Sequence, residues 1–294
     1  MKVAETIAET RGWRGQIRGS VGFVPTMGAL HAGHLSLVER ARRENDHLAA
    51  SVFVNPTQFG PQEDLSRYPR DLDRDRTLLS DAGVDLLFAP SPAEMYPAGF
   101  STGVDVAGPS TRLEGERRPG HFRGVATVVL KLFHVVEPDR AYFGQKDAQQ
   151  LAVLRQMVRD LDLRLAIVAC PTVREADGLA LSSRNVYLGP EDRRAAPVLH
   201  RALQRATALW QEGERGAAVL RRAMTDVVSS EPRARLDYAS VADPGTFAEV
   251  EGCAESCLAA LAVFFGSTRL IDNAVLPPPP KDRIIREPPE RPRE

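Results

Sequence analysis

The stretch from residue 21 to residue 41 constrains this chain more than any other. Residues 21–24 are an apolar run that reads as a buried parallel strand. Pro25, Gly28 and Gly33 break the chain into a turn, after which Leu35, Val38 and Ala41 recur on one helical face. Strand, glycine-containing turn and helix in succession lead free backbone N–H groups toward an anion. Gly28 and Gly33 let the backbone approach such a group with no Cβ between. His31 and His34, two of only six histidines, stand three apart at the helix start and so face the same way. A helix cap plus an exposed ring is the plainer alternative. No cysteine lies nearby and carboxylates are scattered, so the pair falls short of a zinc pattern.

At 294 residues the chain can bury a large core and is expected to form two domains. Its net charge of −1 gives no global attraction to nucleic acid or to an anionic membrane. The apolar run at 257–265 is too short to span a bilayer, and residues 1–16 carry charges with no apolar stretch of the signal-peptide kind. Cys170, Cys253 and Cys257 cannot all pair and fit a reducing cytoplasm. Lysine is scarce: Lys2, Lys131, Lys146 and Lys281 are the only ones among 38 Lys and Arg residues. Asparagine is confined to Asn45, Asn55, Asn185 and Asn273. A Lys or Asn inside a motif is therefore informative, because a compact ammonium and a planar guanidinium are not interchangeable at a phosphate.

Along the chain, residues 2–10 read as a short helix, 33–45 as a helix and 48–54 as a second buried strand. That strand runs into Asn55-Pro56-Thr57-Gln58, which places Asn55 and Gln58 at its C-terminal edge, where open α/β sheets bind ligands; turn-capping amides are the alternative. A charged helix over 71–82, a strand over 84–89 and a helix over 125–135 follow, the last preceded by the basic loop 117–124. Residues 140–144 are a fourth strand leading into Gln145-Lys146-Asp147. Asp147 is expected to cap the next helix, and Lys146 beside a positive helix end implies an anion between them. A fifth strand over 163–168 completes an alternation that implies a doubly wound parallel sheet. Residues 171–185 then break the pattern. Ser182, Ser183 and Arg184 there form a donor cluster suited to phosphate, with a polar turn as the alternative. Helices over 191–212 and 214–229 and strands over 236–241, 258–265 and 269–275 suggest a smaller α+β domain. The expected division is 1–173, 174–276 and a disordered tail at 277–294, where seven prolines and nine charged residues occur in eighteen.

Several blocks in this order resemble the pantoate–β-alanine ligase (pantothenate synthetase) family, within the nucleotidyltransferases that carry a His-x-Gly-His motif. They are Val24 to His34, Phe53 to Phe59, Tyr68-Pro69-Arg70, Arg118 to Val125, Phe143 to Gln150, Val173 to Asn185 and Thr268 to Asn273. Three of the four asparagines fall inside them. The resemblance implies an α/β architecture with a Rossmann-like sheet and a second, smaller domain. It implies a cytoplasmic, homodimeric ligase of vitamin biosynthesis that requires Mg²⁺. Pantoate is adenylated by ATP, pyrophosphate leaves, and β-alanine displaces AMP to give pantothenate. It further implies that Met27, Gly28, Ala29, Leu30, His31, Ala32, Gly33 and His34 contact ATP, with His34 a proton donor. Gly144, Gln145, Lys146, Asp147, Val173, Leu181, Ser182, Ser183 and Arg184 would complete the ATP site, and Gln58 and Gln150 would hold pantoate. His31, His34, Lys146 and Arg184 are the expected catalytic groups, with Asn55 beside the substrate. Asp75 is the candidate metal-linked carboxylate, a solvated helix face being its alternative. Gln145 and Leu181 depart from the family's more usual Glu and Met.

Overall fold

The computed structural model describes residues 1–61 and 63–278. Six parallel strands form the larger sheet: β1 (Lys2–Ala4), β2 (Val21–Thr26), β3 (His47–Val52), β4 (Leu86–Phe88), β5 (Arg140–Gly144) and β6 (Ala166–Cys170). Their spatial order is β1-β4-β3-β2-β5-β6. The chain thus winds one way from β2 and the other way from β5, and the crevice above this reversal is where such sheets take ligands. Helices α1 (Ile7–Gln16), α2 (Ala32–Glu44), α3 (Leu72–Asp81), α6 (His121–Val136) and α7 (Ala148–Asp160) cover the sheet, with short turns α4 (Pro92–Met95) and α5 (Glu114–Arg117) between them. The strands are predominantly apolar because both faces of the sheet are covered. Phe23, Leu86 and Phe88 are buried on one side, and Val24, Leu48 and Leu87 on the other.

The second domain is a three-stranded antiparallel sheet, β7 (Ala234–Ala242), β8 (Cys257–Phe265) and β9 (Thr268–Leu276), in that order. It is backed by α8 (Pro190–Ala195), α9 (Val198–Gln211) and α10 (Ala217–Ser229). Several elements differ from expectation. Residues 2–4 are a strand paired with β4, not a helix. The helix waits for Thr6, whose side chain and Glu9 form a reciprocal capping box. The fifth expected strand shifts to Ala166–Cys170, in register with β5. The single helix expected over 191–212 is two, interrupted at Pro197, which has no N–H to continue the ladder. Asp147 caps nothing with its side chain, since a 3₁₀ turn over Gln145–Asp147 precedes α7. The chain is held in place to its last described residues: Leu276 is buried and Trp210 Nε1 donates to the Pro277 carbonyl at 2.8 Å. Most of the expected tail lies outside the described residues.

Candidate active site

A cleft of about 240 Å³ opens at the C-terminal ends of β2 and β5. Met27, His31, Gly33 and His34 line one side, Gly144, Lys146, Asp147 and Gln150 a second. Val173, Leu181, Ser182, Ser183 and Arg184 close a third, and Asn55 and Gln58 the floor. Three sequence blocks, spread over more than a hundred residues, thus converge as expected. Gly28, Ala29, Leu30, Ala32, Gln145 and Asp75 do not line the cleft. Their work is behind the wall.

The turn after β2 does not present the free amides expected from its glycines. Gly28 N–H donates to Thr26 Oγ1 at 3.2 Å. Ala29 and Leu30 N–H donate to the two oxygens of Asp75, at 2.9 and 2.8 Å. Asp75 is fully buried on α3 and holds Ala29 at a φ of +52°. Both the metal-linked and the solvated readings of Asp75 are therefore corrected: its lone pairs point at backbone. Gly28, at φ +82°, must be glycine, since a Cβ would lie 2.8 Å from the same carboxylate.

The two histidines take up two more amides. His31 Nδ1 accepts from Gly33 N–H at 3.1 Å, and His34 Nδ1 lies 3.4 Å from His31 N–H. Each ring is thereby fixed as the Nε2–H tautomer and passes a backbone donor outward as an imidazole donor. The rings lie 4.1 Å apart, centroid to centroid. Burial, then Lys146, pushes His31 down to about 4; burial, then His31 and Lys146, pushes His34 down to about 3. Both shifts favour the neutral, Nε2–H donor form of the rings in the free protein.

Lys146 stands across from them with its Nζ 3.7 Å from Asp147. Arg184 is half-buried against Asp64 through two bonds of 3.0 and 2.9 Å. Burial opposes both charges, but the pairing outweighs it: Arg184 is raised and Asp64 lowered. Ser182 Oγ accepts from Arg184 N–H, and Ser183 Oγ donates to the Ala29 carbonyl, which joins this block to the β2 turn. Asn55 is spent internally. It accepts from Thr57 and from Tyr96 Oη (2.7 Å) and donates to Gln58 Oε1 (3.1 Å) and to the Gly124 carbonyl (3.2 Å). It aims Gln58 rather than offering its own amide. Gly124 lets α6 touch this turn, since a Cβ there would meet the Thr57 carbonyl at 2.3 Å.

Four residues absent from the expected site also shape it. Arg118 grips Glu63 with two 2.7 Å bonds and donates to His121 Nε2 at 3.0 Å. His121 Nδ1 therefore carries the proton it donates to the Gln58 carbonyl at 2.8 Å. Burial and then Arg118 push this ring down to about 4. The basic loop 117–124 hinted at Arg118 and His121; nothing local marks Glu63 or Asp64. A side pocket of about 50 Å³ runs from Arg118, His121, Lys146 and Gln150 to Ala260 and Asn273 of the second sheet.

Comparison with known proteins identifies the family. The model of the pantoate-beta-alanine ligase family matches residues 2–275. A pantothenate synthetase from Roseiflexus sp. (strain RS-1) is 60% identical over 276 residues, 94% of this chain and 99% of that one. One from Moorella thermoacetica is 57% identical over 279 residues, again 94% and 99%. The crystal structure of pantothenate synthetase from Thermus thermophilus superimposes with a TM-score of 0.91 at 54% identity, covering 95% of this chain and 100% of that one. A pantoate-beta-alanine ligase from Francisella tularensis, complexed with beta-gamma ATP and beta-alanine, gives 0.77 at 35% identity over 94% and 97%. With its whole sheet and cleft inside the matched residues, the chain belongs to the pantoate–β-alanine ligase family.

Proposed function

We propose that this cleft condenses pantoate with β-alanine at the expense of ATP, in two steps. The observation that carries the reading is the convergence of a donor-rich wall and two amides, Gln58 and Gln150, at one sheet-end crevice in a member of this family. In the first step a pantoate carboxylate oxygen attacks the α-phosphorus, the bond to the β-phosphate oxygen breaks, and pyrophosphate leaves with the electron pair. His31 and His34 donate Nε2–H bonds to the phosphate oxygens as charge builds, and Lys146 and the Ser182–Arg184 block neutralise the pyrophosphate. Gln58 and Gln150 hold pantoate for in-line attack. In the second step the free amine of β-alanine attacks the acyl carbon and AMP departs with the former carboxylate oxygen. The apolar side of the cleft, Phe53, Val125, Val129 and Leu132, keeps water from the intermediate.

Mg²⁺ fits as a nucleotide-borne ion. Among the described residues no cluster of three metal-ligating side chains exists, and Asp147 is the one carboxylate lining the cleft. Asp147 would hold the ion, the phosphates and water supplying the other oxygens. When bound, Mg²⁺ supplies neutralising charge to the phosphates. A homodimer and a cytoplasmic setting are part of the same reading, supported by the family and by the unpaired Cys170, Cys253 and Cys257. No helix among the described residues is long and apolar enough to cross a membrane. The test is isotopic. With β-alanine omitted, enzyme, Mg²⁺, ATP and pantoate exchange labelled pyrophosphate into ATP. With all components present, heavy oxygen from the pantoate carboxylate passes into AMP. Label confined to pantothenate would refute the adenylate.

A further inference from the structure

The C-terminal motif Arg269-Leu270-Ile271-Asp272-Asn273 is absent from the main cleft wall. It lies on β9, an edge strand paired only with β8. Strand alternation buries Leu270 and Leu276 in the second domain's core with Ala274 packed against it, and turns Arg269, Ile271 and Asn273 toward the first domain. Arg269 there grips Glu114 with two 2.7 Å bonds while also holding Asp237 of its own sheet at 2.8 Å. Tyr238 Oη adds a 2.9 Å bond to Glu114. Leu258, Ala260 and Phe247 pack on Ala148 and Ala152 at the start of α7. The second domain is thus docked on the element that carries the Lys146 turn.

Asn273 makes the contact that matters for chemistry. Its side chain is buried, and Nδ2 donates to two successive carbonyls, Gln145 at 3.0 Å and Lys146 at 2.8 Å. Its Oδ1 faces Gln145 Nε2 at 3.5 Å. Its backbone N–H donates to Asp272 Oδ1 at 2.8 Å, and Asp272 holds Arg174 through bonds of 2.5 and 3.0 Å. Arg174 follows Val173 and also fixes the Gly178 carbonyl at 3.1 Å. A continuous chain of bonds therefore joins the turn bearing Lys146 to the segment that delivers Ser182–Arg184. We propose that Asn273 is a positioning residue for adenylation, setting where the Lys146 ammonium stands and coupling that turn to the 173–184 block through Asp272 and Arg174. The proposal rests on the reading of Lys146 as a phosphate ligand. An amide suits the task because its two N–H bonds fork toward two acceptors. Aspartate would set oxygens against carbonyls, and alanine would leave both carbonyls unpaired.

The test compares pyrophosphate-exchange rates of the full-length chain carrying Asn273→Ala, Asn273→Ser, Asn273→Asp, Lys146→Ala and the Asn273→Ala/Lys146→Ala pair. Misplacing a catalytic group by about 1 Å costs up to about 10²-fold, so Asn273→Ala should lose about 10- to 100-fold in kcat with ATP KM changed less than about threefold. Serine, which keeps one donor, should fall between, and aspartate should be worst. In the Lys146→Ala background the Asn273→Ala loss should shrink to less than about threefold, because the group it positions is gone. Trp210→Phe removes the bond at the far end of β9 and should lower the melting temperature while leaving exchange intact. Losses that multiply in the double variant would overturn the proposal. So would a wild-type Asn273→Ala beside an impaired Lys146→Ala, or equal losses from Trp210→Phe. A fully active Lys146→Ala would remove the reading of Lys146 and the proposal with it.

Discussion

Burying neutral imidazoles at the cleft makes stability depend on pH in a way one substitution can isolate. His34 titrates near 6.5 when unfolded and is pushed down to about 3 when folded, chiefly by burial. The folded pKa is the lower one. Between these values the unfolded chain binds a proton that the folded chain refuses. The stabilisation is therefore complete above about pH 6.5 and is lost progressively as pH falls toward about 3. Near pH 5.5 the difference is close to one proton, a slope of about 1.2 kcal/mol per pH unit from this residue alone. Integrated from about pH 7 to about pH 5, it amounts to roughly 2 kcal/mol. His121, pushed down to about 4 by burial and Arg118, adds a loss of the same sign and of similar order. The assay is urea unfolding of wild type and His34→Gln across this range. The stability difference between the two should move by roughly 2 kcal/mol in the variant's favour on acidification. A difference independent of pH would mean that folding leaves the His34 pKa where it is in the unfolded chain, so that the ring takes up a proton as pH falls through about 6.5, and the reading of His34 as a donor held neutral by burial would fall. Because the phosphates react in the same pocket, the same variant should lose turnover while keeping ATP KM, as expected of a donor used mainly in the transition state.

Two further substitutions probe the wall and what stands behind it. Lys146→Arg should lose about 10²–10³ in turnover despite equal charge, since a wide guanidinium cannot occupy the place of a compact ammonium beside His31, His34 and Asp147; near wild-type kcat would refute this. Asp75→Ala should destabilise the protein by about 2–4 kcal/mol by orphaning the buried amide of Leu30 and the part-buried amide of Ala29. Titration of the residual activity with Mg²⁺ should give an unchanged midpoint, and a shifted midpoint would restore Asp75 as a metal-linked group.

What could be read in the sequence was what repeats locally. The β2 turn with its histidine pair, the strand ends bearing Gln58 and Gly144, and the Ser182–Arg184 cluster are each contiguous runs whose pattern and punctuation show without a partner. Strand order then brings them together: the ends of β2 and β5 flank the one reversal, β3 lies beside β2, and the segment after β6 folds back over the same crevice. What stayed hidden were partners chosen at a distance. Asp75 reaches back to Ala29, Asp64 to Arg184, and Asn273 across a domain boundary to Lys146. Aspartate on a charged helix gives no local sign that its oxygens are saturated by backbone, so Asp75 read as solvent or metal. The same holds for charge state. A histidine pair at a helix start says nothing by itself about its charge. Only the depth of the site and the positive Lys146 beside it decide that the rings enter neutral, with Nδ1 turned to the amides behind and Nε2–H to the cleft. That arrangement explains why glycines sit in a turn whose amides are not free: Gly28 makes room for the Asp75 carboxylate, and Gly33 for the His31 ring, whose Nδ1 lies 2.9 Å from where a Cβ would stand. The glycines accommodate the side chains that consume the amides, and the imidazoles carry donor capacity forward to the reacting phosphate.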